Sequence, residues 1–175
     1  MNSKTGKLLV LGGFVGRLVL TVLSFLLSLL KINLGSLGNL FSFAISLAII
    51  AGFAIVFLSD RNILDLVFIV GFVASLVEGI IIALFPNMYS LIDIIYFVYI
   101  AGILAWSIKL FTKSKIVAAI AAASSLACSF GGTLLKSFLA RFGPQNTLLT
   151  LVSPIVSLAT TAALVVAAFL DYQSE

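Results

Sequence analysis

Three ionisable side chains interrupt long apolar stretches of this sequence, namely Arg17, Glu78 and Lys136. A charge near the centre of a bilayer costs from about 2.5 to more than about 10 kcal/mol, so each group must be neutralised, paired or in contact with water. At about 1.5 Å per helical residue, Glu78 lies about 10 Å inside its apolar stretch, too deep for its short side chain to reach water. The chemistry open to these residues is ion pairing or the binding of a proton or cation.

Arg17 and Lys136 are the two candidate partners of the Glu78 carboxylate. Arg17 keeps its charge and lies deep in its stretch, whereas Lys136 can extend its ammonium group towards the membrane interface. The favoured prediction is a structural Arg17–Glu78 ion pair, and a transport site in which Glu78 titrates is the alternative. Asp65 and Asp93 lie near the ends of apolar stretches and are expected at the membrane interface.

Hydroxyl side chains recur at intervals of three and four residues, which places them on one face of a helix. The candidate interior polar stripe consists of Thr21, Ser24, Ser42, Ser75, Ser125, Ser129, Ser153 and Ser157. Ser and Thr in membrane helices also bond to carbonyl groups one turn earlier or to a neighbouring helix. A dry core held by hydroxyl bonds and a polar solute path therefore remain alternatives.

The composition predicts the class of protein and the type of secondary structure that carries these residues. Apolar residues make up 62% of the 175 residues and charged residues only 9%, whereas soluble domains have about 45–50% and about 25%. A soluble fold of this length could not hide so much apolar surface. Backbone groups in lipid must be satisfied within the segment, so the sequence predicts an all-α integral membrane protein.

Each stretch of roughly 20 apolar residues is long enough to cross a bilayer core about 30 Å thick. Six predicted spans cover residues 8–30, 37–58, 63–85, 90–111, 116–140 and 148–170. The connections between them are short and contain Gly, Pro, Asn or charged residues. The prediction is a compact bundle of six transmembrane helices over 1–175, with an uncleaved first helix and no soluble domain.

Basic residues in the connections predict the orientation. With the N-terminus inside, the inner side collects Lys4, Lys7, Arg61, Lys109, Lys113 and Lys115, and the outer side Lys31, Lys136 and Arg141. Cytoplasmic loops of membrane proteins carry an excess of Lys and Arg. The sequence therefore predicts a protein of the cell membrane with both termini in the cytoplasm.

The sequence lacks the residues that several kinds of chemistry require. The chain contains no histidine and one cysteine, Cys128, which excludes an internal disulfide and a multi-cysteine metal site. No hydrolase, protease or nucleotide-binding motif is present. No basic block of the kind that binds nucleic acid occurs. The expectation is a protein that is not an enzyme, with no cofactor, no metal and no nucleic-acid partner.

Small residues dominate the fifth span between Ala118 and Gly132. Small side chains let neighbouring helices approach closely, which predicts that this helix is central in the bundle. In helix count and length the chain resembles the substrate-binding components of vitamin uptake systems, although its alanine run lies on the fifth span and not on the first. The resemblance implies a membrane-embedded component that binds a small solute.

Two functions follow from this reasoning. The first is a small secondary transporter, or a membrane-embedded binding component, for a small solute or ion. The alternative is a non-catalytic structural or accessory subunit of a larger membrane protein complex, in which the polar and small faces are protein interfaces. The expected partners are the lipid bilayer and either other membrane subunits or further copies of the chain.

Overall fold

The computed structural model describes residues 3–30, 32, 34–84, 89–141 and 147–174, without the side chains of residues 79, 82–84, 89–93, 140 and 147–150. The described residues form six α-helices and no strand. The helices are α1 Ser3–Leu29, α2 Gly35–Asp60, α3 Ile63–Leu84, α4 Tyr89–Thr112, α5 Ile116–Ala140 and α6 Thr147–Gln173. The predicted all-α class and the six helices are confirmed. The largest differences in bounds are at α1, which begins earlier than predicted, and α6, which ends later.

Within the described residues, five helical segments are long and apolar enough to cross a membrane. They are Ser3–Leu29, Gly35–Asp60, Ile94–Thr112, Ile116–Leu139 and Leu151–Gln173. These segments indicate a membrane protein. The span predicted over 63–85 is helical over Ile63–Leu84, and its passage through the bilayer stays a prediction.

The helices form a closed ring. Each helix packs mainly against its neighbours in sequence, and α6 packs against α1. The expectation that α5 is central is therefore wrong, because α5 lies in the ring between α4 and α6. Its small residues serve the close approach to α6: a Cβ added to Gly132 would lie 2.5 Å from Val156 Cγ1.

The start of α1 and the end of α6 lie at the same end of the ring, here called the termini end. The Lys7 ammonium near the start of α1 lies 3.2 Å from Asp171 Oδ1 near the end of α6. The α2–α3 and α4–α5 connections are at this end too, because Lys115 pairs with Asp171 and Lys113 pairs with Asp60. The opposite end carries the α1–α2 connection and is called the loop end.

A cluster of five aromatic side chains fills the ring next to the termini end. This aromatic cluster comprises Phe14, Phe53, Phe68, Phe72 and Trp106, each at most 3% exposed. The Phe53 and Phe68 rings stack with centroids 3.7 Å apart, and Trp106 stacks on Phe14 at 5.8 Å. Since the rings come from α1, α2, α3 and α4, they close the interior of the ring at this depth.

Candidate functional site

A polar cavity lies between α1, α2 and α6, on the loop-end side of the aromatic cluster. This main cavity has a volume of about 580 Å³ and extends from the α1–α2 connection to Arg17. At 1.5 Å per residue, about 18 Å of helix separates Arg17 from Leu29 at the end of α1. The cavity therefore extends from the α1–α2 connection to the middle of the bundle.

A second, smaller cavity joins the main one beside α6. This side cavity has a volume of about 250 Å³ and is bordered by Tyr99 of α4, and by Ser129 and Lys136 of α5. Arg17, Ser153 and Ser157 line both cavities. Pro154 lies inside α6 in the wall of the main cavity. The two cavities share these three lining residues and together form one polar space that borders Arg17.

Six of the eight residues predicted for the interior polar stripe line this space: Thr21, Ser24, Ser42, Ser129, Ser153 and Ser157. The other two belong to neither cavity. The Ser75 hydroxyl donates to the Phe72 carbonyl at 2.8 Å, and the Ser125 hydroxyl, in a residue 1% exposed, donates to the Ala122 carbonyl at 2.7 Å. Thr21 does both, because it lines the main cavity and its hydroxyl donates to the Arg17 carbonyl at 2.8 Å. The choice between a dry core and a solute path stays a prediction.

Arg17 is a charged residue that borders both cavities. Its Nη1 atom is buried and has no hydrogen-bond partner among the described residues. The Phe72 ring lies under the guanidinium, with its centroid 5.8 Å from Arg17 Cζ. A ring face attracts the positive charge but accepts no ordinary hydrogen bond. The guanidinium consequently has an unused donor, in a side chain that borders both cavities.

Glu78 is half-buried on α3. The described residues include no ion pair or hydrogen bond between its carboxylate and Arg17, although both groups act electrostatically on the Tyr99 phenol. The predicted Arg17–Glu78 pair stays a prediction. Lys136 instead lies within 3.1 Å of Ser153 Oγ, to which its ammonium donates. Asp93, expected at the interface, lies outside the described side chains.

A comparison with protein-family models, curated proteins and solved structures found no match to this chain.

An ion pair that the sequence analysis missed lies at the termini end. Asp65, expected at the membrane interface, is instead 1% exposed and accepts a hydrogen bond from the Lys109 ammonium at 2.7 Å. Lys109 is itself 4% exposed, and its ammonium is also 3.4 Å from Asp60 Oδ2. Asp65 is near a span end, as predicted, but it faces the interior of the ring because α4 supplies a cation there.

Short connections bring further charges to this ion cluster, which consists of Lys7, Asp60, Asp65, Lys109, Lys113, Lys115 and Asp171. The α2–α3 turn is held by Arg61, whose left-handed backbone lets its N–H reach the Phe57 carbonyl at 2.7 Å. Lys115 follows the α4 turn and binds Asp171 Oδ1 at 2.6 Å. Burial lowers the pKa of Lys115, and its hydrogen bond to Asp171 opposes that shift.

The centre of the ion cluster encloses a small polar void. Lys7, Asp65, Lys109 and Asp171 line it, together with aromatic residues of the layer above, and its volume is about 10 Å³. That is about the room that one water molecule needs. The charges form two ion-paired groups, one of Lys7, Lys115 and Asp171 and one of Asp60, Asp65, Lys109 and Lys113. The void borders both groups, which together involve five helices and the α4–α5 turn. Their arrangement can hold the termini end of the ring shut.

Proposed function

We propose that the protein is a multi-pass protein of the cell membrane that binds a small solute in the main cavity and transports it across the bilayer. The single observation that carries this proposal is the polar cavity, about 580 Å³ in volume. Ligand pockets in proteins have volumes of about 300–1,000 Å³. A bundle that served only to pack against lipid would need no polar space of this size at its centre.

The position of the main cavity supports transport in particular. Among the described residues it extends from the α1–α2 connection to Arg17, and the aromatic cluster and the ion cluster fill the ring towards the termini end. Carriers expose a central site to one side of the membrane at a time by moving helices against each other. The opposite state requires the ion cluster to open, because its charges join the helices at the termini end.

The test is solute uptake by the purified protein in liposomes, with a panel of labelled organic cations, neutral sugars, amino acids, carboxylates and phosphate. Ser157 lines both cavities, so Ser157→Trp is expected to reduce uptake of the accepted solute at least tenfold, because the indole ring fills the shared space. Ile155→Trp is the matched control. Ile155 is on the same helix and 55% exposed on the outside of the bundle, so its replacement should leave uptake unchanged.

An absence of uptake and of ligand-induced stabilisation across the whole panel would contradict the proposal. The accessory-subunit alternative predicts that result, and it also predicts purification from native membranes with fixed partners. Equal effects of the two Trp substitutions would likewise count against the cavity as the binding site, since only Ser157 faces it.

The orientation is testable by cysteine labelling of whole cells in a Cys128→Ala background. Ile32 is in the α1–α2 connection and Ser114 in the α4–α5 turn, and both are exposed. If the termini are cytoplasmic, Ile32→Cys should react with an impermeant maleimide on intact cells. Ser114→Cys should react only after permeabilisation. The reverse pattern would place the termini outside, and the Cys128→Ala parent provides the unlabelled control.

A further inference from the structure

We infer that the cavity binds a solute through an oxyanion, a carboxylate or a phosphate group, held by the Arg17 guanidinium. This inference rests on the proposed function and names the class of ligand that the site would take. Arg17 borders both cavities, and among the described residues its buried Nη1 has no hydrogen-bond partner. A buried charged donor without an acceptor is costly. A ligand oxygen in the cavity would remove that cost once the guanidinium turns Nη1 towards it.

The charge of the lining favours an anion. Arg17 and Lys136 are the ionised groups among the described residues that line the two cavities, and none of these lining residues is Asp or Glu. Glu78 does not border either cavity as described. A cation would meet two positive charges with no compensating carboxylate from this lining, whereas an anion would be attracted to both.

Hydroxyl groups of α6 line the same cavities as the guanidinium. Ser153 and Ser157 line both cavities, and Thr160 Oγ1 in the side cavity is buried without a hydrogen-bond partner among the described residues. Lys136 Nζ is held at 3.1 Å from Ser153 Oγ, on the wall of the same space. A guanidinium presents its N–H groups as a planar fork that matches the two oxygens of a carboxylate or phosphate. Neighbouring hydroxyls can donate to a further ligand oxygen.

Binding is tested by ligand-induced thermal stabilisation of the purified protein in a zwitterionic detergent. The probes are inorganic phosphate and succinate, with choline and glucose at equal concentration and ionic strength. We expect the two anions, and not choline or glucose, to raise the melting temperature. Arg17→Gln should weaken the apparent affinity for the anions at least tenfold. Arg17→Lys should recover only part of it, since a lysine lacks the fork. Arg61→Gln, at an exposed cation of the termini end, is the charge-matched control and should bind as the native protein does.

The stability of the ligand-free Arg17→Gln variant separates this site from a structural ion pair. An oxyanion site predicts that the variant melts at or above the temperature of the native protein, because an unpartnered buried donor is removed. Lower stability with unchanged anion affinity would overturn the inference and assign Arg17 to Glu78 instead. If Arg17→Gln fails to fold, Lys136→Gln is the second variant, and its expected result is a smaller loss of anion affinity. Unchanged affinity in Lys136→Gln would then overturn the inference.

Two further experiments identify the source of the oxyanion and show whether a negative result concerns the anion inference or the proposed function. The protein is placed in nanodiscs of phosphatidylcholine with and without phosphatidylglycerol. If the anionic lipid competes with phosphate, and this competition depends on Arg17, the result would support the oxyanion site and assign it to a lipid headgroup. Free phosphate binding that is indifferent to the lipid would support a soluble anion. Stabilisation by choline or glucose alone, lost in Ser157→Trp, would overturn the anion inference while leaving the solute-binding function intact. No stabilisation by any probe would overturn the inference, and the uptake panel then decides the function.

Discussion

Replacing Asp65 by Asn is expected to lower the free energy of unfolding by about 3 kcal/mol, because removing one partner of a buried ion pair leaves the other charge without compensation. Asp65 and Lys109 are almost fully buried, and the carboxylate accepts the ammonium hydrogen bond at 2.7 Å. Asp60 is the nearest remaining acid, 3.4 Å from the Lys109 ammonium. That distance is too long for it to replace Asp65 fully. The measurement is unfolding of the purified protein in detergent, by heat or by a denaturing detergent.

The matched control for this prediction is Asp60→Asn. Asp60 bonds mainly to Lys113, whose side chain is 37% exposed, and exposed ion pairs contribute at most about 1 kcal/mol. The double variant Asp65→Leu with Lys109→Met should recover most of the lost stability, since apolar residues of similar volume can replace a buried pair. If Asp65→Asn unfolds like the native protein, the ion cluster does not hold the termini end together. The proposed closure at that end would then be wrong.

Replacing Gly71 by Ala is expected to lower the free energy of unfolding by about 1–3 kcal/mol, the usual cost of overpacking. An added Cβ would lie 2.9 Å from Gly102 Cα and 3.0 Å from the Val98 carbonyl oxygen. These are backbone atoms of α4, so the clash cannot be relieved by a change of rotamer. The helices α3 and α4 would have to separate, and α4 carries Trp106 of the aromatic cluster and Lys109 of the ion cluster.

Gly131→Ala on α5 is the control for the second prediction, because nothing lies within 4 Å of the Cβ it would add. Alanine favours a helix over glycine by about 1 kcal/mol, and this gain applies to both variants. The difference between the two melting temperatures in detergent therefore measures the helix contact alone. Equal melting temperatures would mean that α3 and α4 do not approach through Gly71 and Gly102.

The interior faces of most helices could be predicted from sequence, because polar residues of a helix in lipid are unfavourable on the lipid-facing side. Ser153 and Ser157 are four residues apart on α6, and that spacing alone placed them on one face, which lines the cavities. Ser125 belongs to the same kind of pattern on α5, yet its hydroxyl bonds to its own helix and borders no cavity. Spacing identifies a face but not whether that face meets a void or another helix.

Apolar composition and span length by themselves determined the helical class, the number of helices and their approximate bounds, since a backbone in lipid must satisfy its hydrogen bonds within each segment. Only the tertiary structure decided which residues meet. The order of the helices in the ring brought Lys109 to Asp65, a residue that a span-by-span analysis assigned to the membrane interface. It also placed Arg17 beside the main cavity, with Nη1 unpartnered among the described residues. The sequence gives the depth of a residue along its helix. The angular position of one helix against another depends on packing between side chains that are distant in the chain.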